Sequence, residues 1–89
     1  ETENMSARRA AVDLLLALGK DALDAVIGEL RSHRHPWYTV RNLLHVLGEL
    51  GGISEAAVAN EFYDHPHPKV REQYILTIEK LMKSASESK

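Results

Sequence analysis

Eighty-nine residues, 44% of them hydrophobic and none of them cysteine, support one small globular domain and exclude disulfides and thiolate metal sites. The net charge of −2 lacks the basic excess of most nucleic-acid binders. No apolar run approaches the roughly 18 residues that span a bilayer, so neither nucleic acid nor a membrane is an expected partner, and a cytoplasmic location is expected.

Residues 1–5 open with the polar run ETEN and predict a frayed start. A first helix is predicted over 6–18, with Ser6 as N-cap and an apolar stripe of Val12, Leu15, Leu16 and Leu18. Gly19 ends it, because glycine tolerates the positive φ of a helix terminus. A second helix over 21–32 carries Leu23, Val26, Ile27 and Leu30 at i, i+3, i+4 and i+7, one clean apolar face. Pro36 then interrupts the pattern. A third helix over 38–50 presents Val40, Leu43, Leu44, Leu47 and Leu50 before Gly51-Gly52. Ser54 is placed to cap a short fourth helix over 54–64, with Val58 and Phe62 apolar. Pro66 and Pro68 break the chain again, and Val70, Tyr74, Ile78 and Leu81 mark a fifth helix over 68–83, followed by a polar tail at 84–89. No alternating strand pattern of useful length occurs, so the predicted fold class is all-α with five helices.

The chain also repeats itself. "HPWYTVRN" (35–42) and "HPHPKVRE" (65–72) share His-Pro, three residues, then Val-Arg, and "ALGKDALDAV" (17–26) aligns with "ELGGISEAAV" (49–58). The unit is 30 to 32 residues long and occurs about two and a half times, over 6–34, 35–64 and a partial 65–83. These segments resemble HEAT repeats, in particular the short bacterial type also called PBS-lyase HEAT-like, whose pattern is His-Pro-Asp-Pro-x-Val-Arg followed by an apolar helix ending in Leu-Gly. The resemblance implies a right-handed α-solenoid of about two and a half helical hairpins. Pro36, Val40, Arg41, Pro66, Pro68, Val70 and Arg71 would be its signature positions. In the family the Asp and the Arg form a ladder between units; here Trp37 and His67 stand where that Asp belongs, and Tyr38 replaces the second proline of the first copy. Arg41 and Arg71 are therefore expected to bond carbonyls or a carboxylate such as Asp64. The last unit lacks its second helix, so Ile75 and Leu76 on the fifth helix are expected at an open edge suited to self-association. Beginning at Glu1 rather than Met, the chain is expected to be a fragment of a longer protein.

The paired histidines His33/His35 and His65/His67 fall in equivalent loops, yet no carboxylate joins them at a metal-ligand spacing. Helix-start capping by His35 or His67 is the favoured reading, with a pH response as a lesser one. HEAT-repeat deoxyhypusine hydroxylases bind iron through His-Glu dipeptides, and this chain has none; no catalytic residue, metal or cofactor is assigned. Solenoids hold partners on a concave surface lined by their inner helices, which places Asp24, Gly28 and Arg31 beside Ala56, Asn60 and Tyr63 at the 32-residue offset. Trp37 and Tyr38 form a second candidate contact, as large aromatics in a loop. The basic residues Arg8, Arg9, Arg31, Arg34, Arg41, Lys69 and Arg71 support a nucleic-acid alternative, weakened by the interleaved acids Asp21, Asp24, Glu29, Asp64 and Glu72. The expected function is a non-catalytic protein-interaction or regulatory scaffold that takes a protein or peptide. A nucleic-acid-binding module is the first alternative and a lyase or metal-dependent enzyme subunit the second.

Overall fold

Apolar side chains at helical spacing, punctuated by Gly and Pro, fold the chain into helices, and the described residues contain no strand. The computed structural model describes the backbone of residues 5–87 and the side chains of 12–83. Five α-helices follow one another: α1 (Met5–Leu18), α2 (Lys20–Ser32), α3 (Trp37–Leu50), α4 (Ala56–Asn60) and α5 (Pro68–Glu87). A 3-10 turn at Ile53–Glu55 leads into α4.

Local chemistry sets the boundaries. Gly19 joins α1 to α2 at φ 63°, and a Cβ built there would meet nothing within 4 Å. Backbone conformation alone therefore selects glycine at this joint. Ser6 falls inside the first turn of α1 rather than ahead of it, and its side chain lies outside the described ones. The α2 helix ends at His33, which adopts φ 56° although such a conformation is costly for a residue with a Cβ. Pro36 then starts α3, its carbonyl accepting the amides of Thr39 at 3.0 Å and Val40 at 3.1 Å.

Two helix predictions need correction. The fourth helix was expected over 54–64 but is α-helical only from Ala56 to Asn60. Beyond it, Glu61, Phe62, Tyr63 and His65 each donate to the carbonyl three residues back, so the coil tightens while Phe62 remains 3% exposed in the core. Ser54 does not cap this element; Glu55 reaches back and its Oε1 accepts the Gly52 amide at 2.6 Å. The fifth helix runs through Glu87 rather than stopping at 83. Ser-Ala-Ser-Glu contains no glycine or proline to end it, so the first part of the expected polar tail is helical.

The core is built around α3. Besides Val40, Leu43, Leu44 and Leu47, this helix buries Val46 and Gly48, so it is covered on more than one face. Helices α1 and α5 flank it, α2 packs against it, and α4 packs against α5. Ala22, Val26 and Leu30 close the core from α2, Val58, Ala59 and Phe62 from the α4 side, and Val70 and Leu81 from α5. Of the apolar stripe predicted on α1, Val12, Leu15 and Leu16 pack on the core, but Leu18 is 52% exposed. Ile75 and Leu76 lie open on α5, at 54% and 55% exposure.

The α3–α5 crossing is close because Gly48 has no side chain. A Cβ at that position would sit 3.3 Å from the Thr77 Cα. Thr77, 1% exposed, donates from its hydroxyl to the Leu44 carbonyl at 2.8 Å and accepts from Gln73 Nε2 at 3.2 Å. We predict that Gly48→Val costs about 1–3 kcal/mol by overpacking this crossing, and that Thr77→Val costs about 1 kcal/mol through its lost hydrogen bond. Urea unfolding checks both; a Gly48→Val variant as stable as the parent contradicts the close-approach account.

Candidate functional site

The outward positions of α2 and of the α4 segment form the first candidate surface. Asp24, Gly28 and Arg31 are exposed on α2, and Asn60 and Tyr63 on the other side. A Cβ on Gly28 would meet nothing within 4 Å, so the surface above it is open. Arg31 Nε donates to Glu61 Oε2 at 3.0 Å, which ties the end of α2 to the turn after α4. Both partners are substantially exposed, so this pair fixes geometry more than it adds stability. Asn60 Oδ1 accepts the Tyr74 hydroxyl at 2.8 Å, tying α4 to α5. Arg31, the repeat-equivalent of Tyr63, thus bonds a residue two positions before that tyrosine. Ala56 is half-buried against the core, which removes it from the accessible face. Tyr63 remains 62% exposed.

The loop aromatics behave differently. Trp37 is half-buried, packs on the core, and stacks on His67 with centroids 4.0 Å apart and planes inclined by 8°. Tyr38 meets Trp37 edge-on at 5.7 Å, and the Arg41 guanidinium lies 5.1 Å from the indole centroid. Trp37 and His67, at equivalent places in the two His-Pro segments, thus face each other across the joint between α3 and α5. The arginines of the two Val-Arg pairs bond locally: Arg71 Nη1 donates to the His65 carbonyl at 2.6 Å, and Arg41 Nη2 to Asn42 Oδ1 at 3.4 Å. Val40 and Val70 are buried, at 5% and 0% exposure. Pro36 precedes α3, Pro68 opens α5, and Pro66 lies in the turn between the α4 segment and α5.

The histidines take separate tasks. His67 Nδ1 accepts the Lys69 amide at 3.1 Å, the N-cap role expected of it. His65 Nδ1 accepts the His67 amide at 3.0 Å. His35 does not cap α3; its Nε2 is paired with Glu29 Oε1 at 2.6 Å. His33 stacks on Phe62 at 5.9 Å, and His65 faces the same ring at 6.4 Å. Burial holds the His65 imidazole below its usual value of 6.5; nearby His67 and Arg71 push the same way, and Asp64 opposes them. Among the described residues no three His, Asp or Glu side chains converge as metal ligands.

One feature escaped sequence reasoning entirely. An open groove of about 440 Å³ runs between α3 and α5, lined by His45, Gly48, Glu49, Gln73, Leu76 and Lys80 among others. Its walls come from residues spaced across two helices, so no local motif announces it. Glu49 and Lys80 pair across it. Of the candidate basic cluster, Arg31, Arg41 and Arg71 are engaged within the fold as described; Arg34 and Lys69 are exposed, and the side chains of Arg8 and Arg9 lie outside the described ones. Among the described residues no helix is long and apolar enough to cross a membrane.

No family model, curated protein or solved structure matches this chain. Its site is therefore read from its own geometry. A double-mutant cycle on Trp37→Ala and His67→Ala is expected to return a coupling of about 0.5–1.5 kcal/mol, the usual worth of a stacked ring pair beyond its buried area. Additive single effects would remove the stack as the tie between α3 and α5.

Proposed function

We propose that the chain is a HEAT-like α-solenoid segment of about two and a half hairpins, working as a non-catalytic module that holds a protein or peptide on the α2–α4 face. Support for the repeat arrangement comes from the spacing of the ties between elements. Arg31 meets Glu61 and Trp37 meets His67 at a separation of 30, His33 meets Phe62 at 29, Glu49 meets Lys80 at 31, and Leu44 meets Thr77 at 33. A chain whose units of 30 to 32 residues stack on one another places equivalent positions side by side in this way.

The observation that carries the binding reading is Tyr63. A large aromatic that is 62% exposed sits two residues beyond Glu61, on the turn that Arg31 anchors, with open space above Gly28. Aromatic and arginine side chains in such settings supply much of the energy of protein interfaces. Asp24, Gly28 and Asn60 would form the polar surround.

Peptides selected on the immobilised protein from a displayed random library test the reading. Tyr63→Ala and Arg31→Ala should each weaken a selected peptide by about tenfold, equivalent to roughly 1–2 kcal/mol, with the melting temperature of the Tyr63 variant unchanged. If both variants bind such peptides as the parent does, the α2–α4 face is not the binding surface.

A further inference from the structure

We propose that the joint between the two His-Pro segments is acid-sensitive: protonation of His65 releases His67, and with it the start of α5, from α3. The inference stands apart from the partner-binding reading and rests on how the two imidazoles are used. Each Nδ1 accepts a backbone N–H, His65 from His67 at 3.0 Å and His67 from Lys69 at 3.1 Å. An accepting Nδ1 carries a lone pair, so each neutral ring bears its proton on Nε2. A second proton has only Nδ1 to occupy. On His65 its arrival turns the acceptor into a donor pointing at the His67 N–H, so the hydrogen bond that seats His67, the cap of α5, is lost, leaving the Val70 and Arg71 amides on the His67 carbonyl to hold the first turn.

The surroundings add to the effect. His67 lies flat on Trp37 of α3, with Arg41 5.1 Å from the same indole, and Lys69 follows it on α5. His65 is faced by Arg71 from α5, by His67, and by Asp64 from its own turn; Phe62 separates it from His33 at the end of α2. A new imidazolium charge on His65 would therefore join Arg41, Lys69 and Arg71 at one junction, with Asp64 the carboxylate acting on it. The sign follows from the depressed His65 value. The unfolded chain takes up this proton first, so its stabilising contribution is complete above pH 6.5 and is lost as pH falls from there toward the folded-state value.

The chain carries its own reporter, since Trp37 is its single tryptophan and stacks directly on His67. Asparagine accepts the same backbone N–H at a helix start but does not titrate, so His65→Asn with His67→Asn keeps the caps and removes the switch. Between pH 8 and pH 5 the parent should show a step in tryptophan fluorescence. Over the same range, exchange of the Val70 and Arg71 amides, normalised for intrinsic rate, should speed up about fivefold, as expected when a cap-type hydrogen bond is lost. The double Asn variant should show neither change, and His45→Asn, on the distant groove, should show both. Acid-insensitive Val70 and Arg71 exchange in the parent, with or without a fluorescence step, overturns the proposal, as does a full response in the double variant. Imidazole nitrogen NMR on the parent gives a check free of mutation: both rings must be Nε2–H tautomers at pH 8, and an Nδ1–H tautomer at either one overturns it.

Discussion

The close approach of Gly48 on α3 to Thr77 on α5 governs much of what surrounds it. With only hydrogen at Gly48, the two helices come near enough for the Thr77 hydroxyl to reach the Leu44 carbonyl. That polar bond sits where both partners are shielded from water, so it is strong only because it is satisfied. The crossing fixes the register of α5 along α3. Lys80 then falls opposite Glu49, and the start of α5 falls opposite the start of α3, where Trp37 receives His67. Three contacts spread along the pair follow from one helix register.

The layer formed by α2 and the α4 segment is held by a different kind of tie. Its apolar residues Val26, Leu30, Val58 and Phe62 share the core with α3 and α5. At its edge, the ends of the two segments meet through Arg31–Glu61 and through the His33 ring on Phe62. His33 occupies a left-handed backbone conformation to end α2, and its ring stack offsets part of that cost. Because α4 has only five α-helical residues, its position depends on these side-chain ties and on Asn60–Tyr74 more than on its own length. The face proposed for partner binding is thus presented by the least regular part of the fold.

Much of this architecture was legible in the sequence. Gly19, Pro36, Gly51 and the Pro66-Pro68 pair punctuate the chain strongly, and the interval between copies of His-Pro…Val-Arg matches the separations at which side chains meet across units. What was not legible has physical reasons. Periodicity describes one face of a helix, so it missed that α3 also buries Val46 and Gly48 on its other sides. Thr77 reads as a polar surface residue until its partner, 33 positions away, is known. The stack of Trp37 on His67 joins two residues 30 positions apart, and neither residue alone reveals the other as its partner. The α4 segment was overextended because helical spacing alone does not distinguish i→i+4 from i→i+3 hydrogen bonding. Of the candidate face, Asp24, Gly28, Arg31, Asn60 and Tyr63 are exposed and Ala56 is half-buried against the core, a difference that helical position alone does not reveal.

The dependence of the fold on the α3–α5 pair is most directly measured by native-state hydrogen exchange across the chain. Amides in the middle of α3, at Leu44 and Leu47, and of α5, at Thr77 and Leu81, should open together with the highest free energy in the molecule, equal to that of global unfolding, while α4 opens more easily. Exchange in α5 that is faster than in α1 and α2, with α3 protected independently of it, would contradict the account.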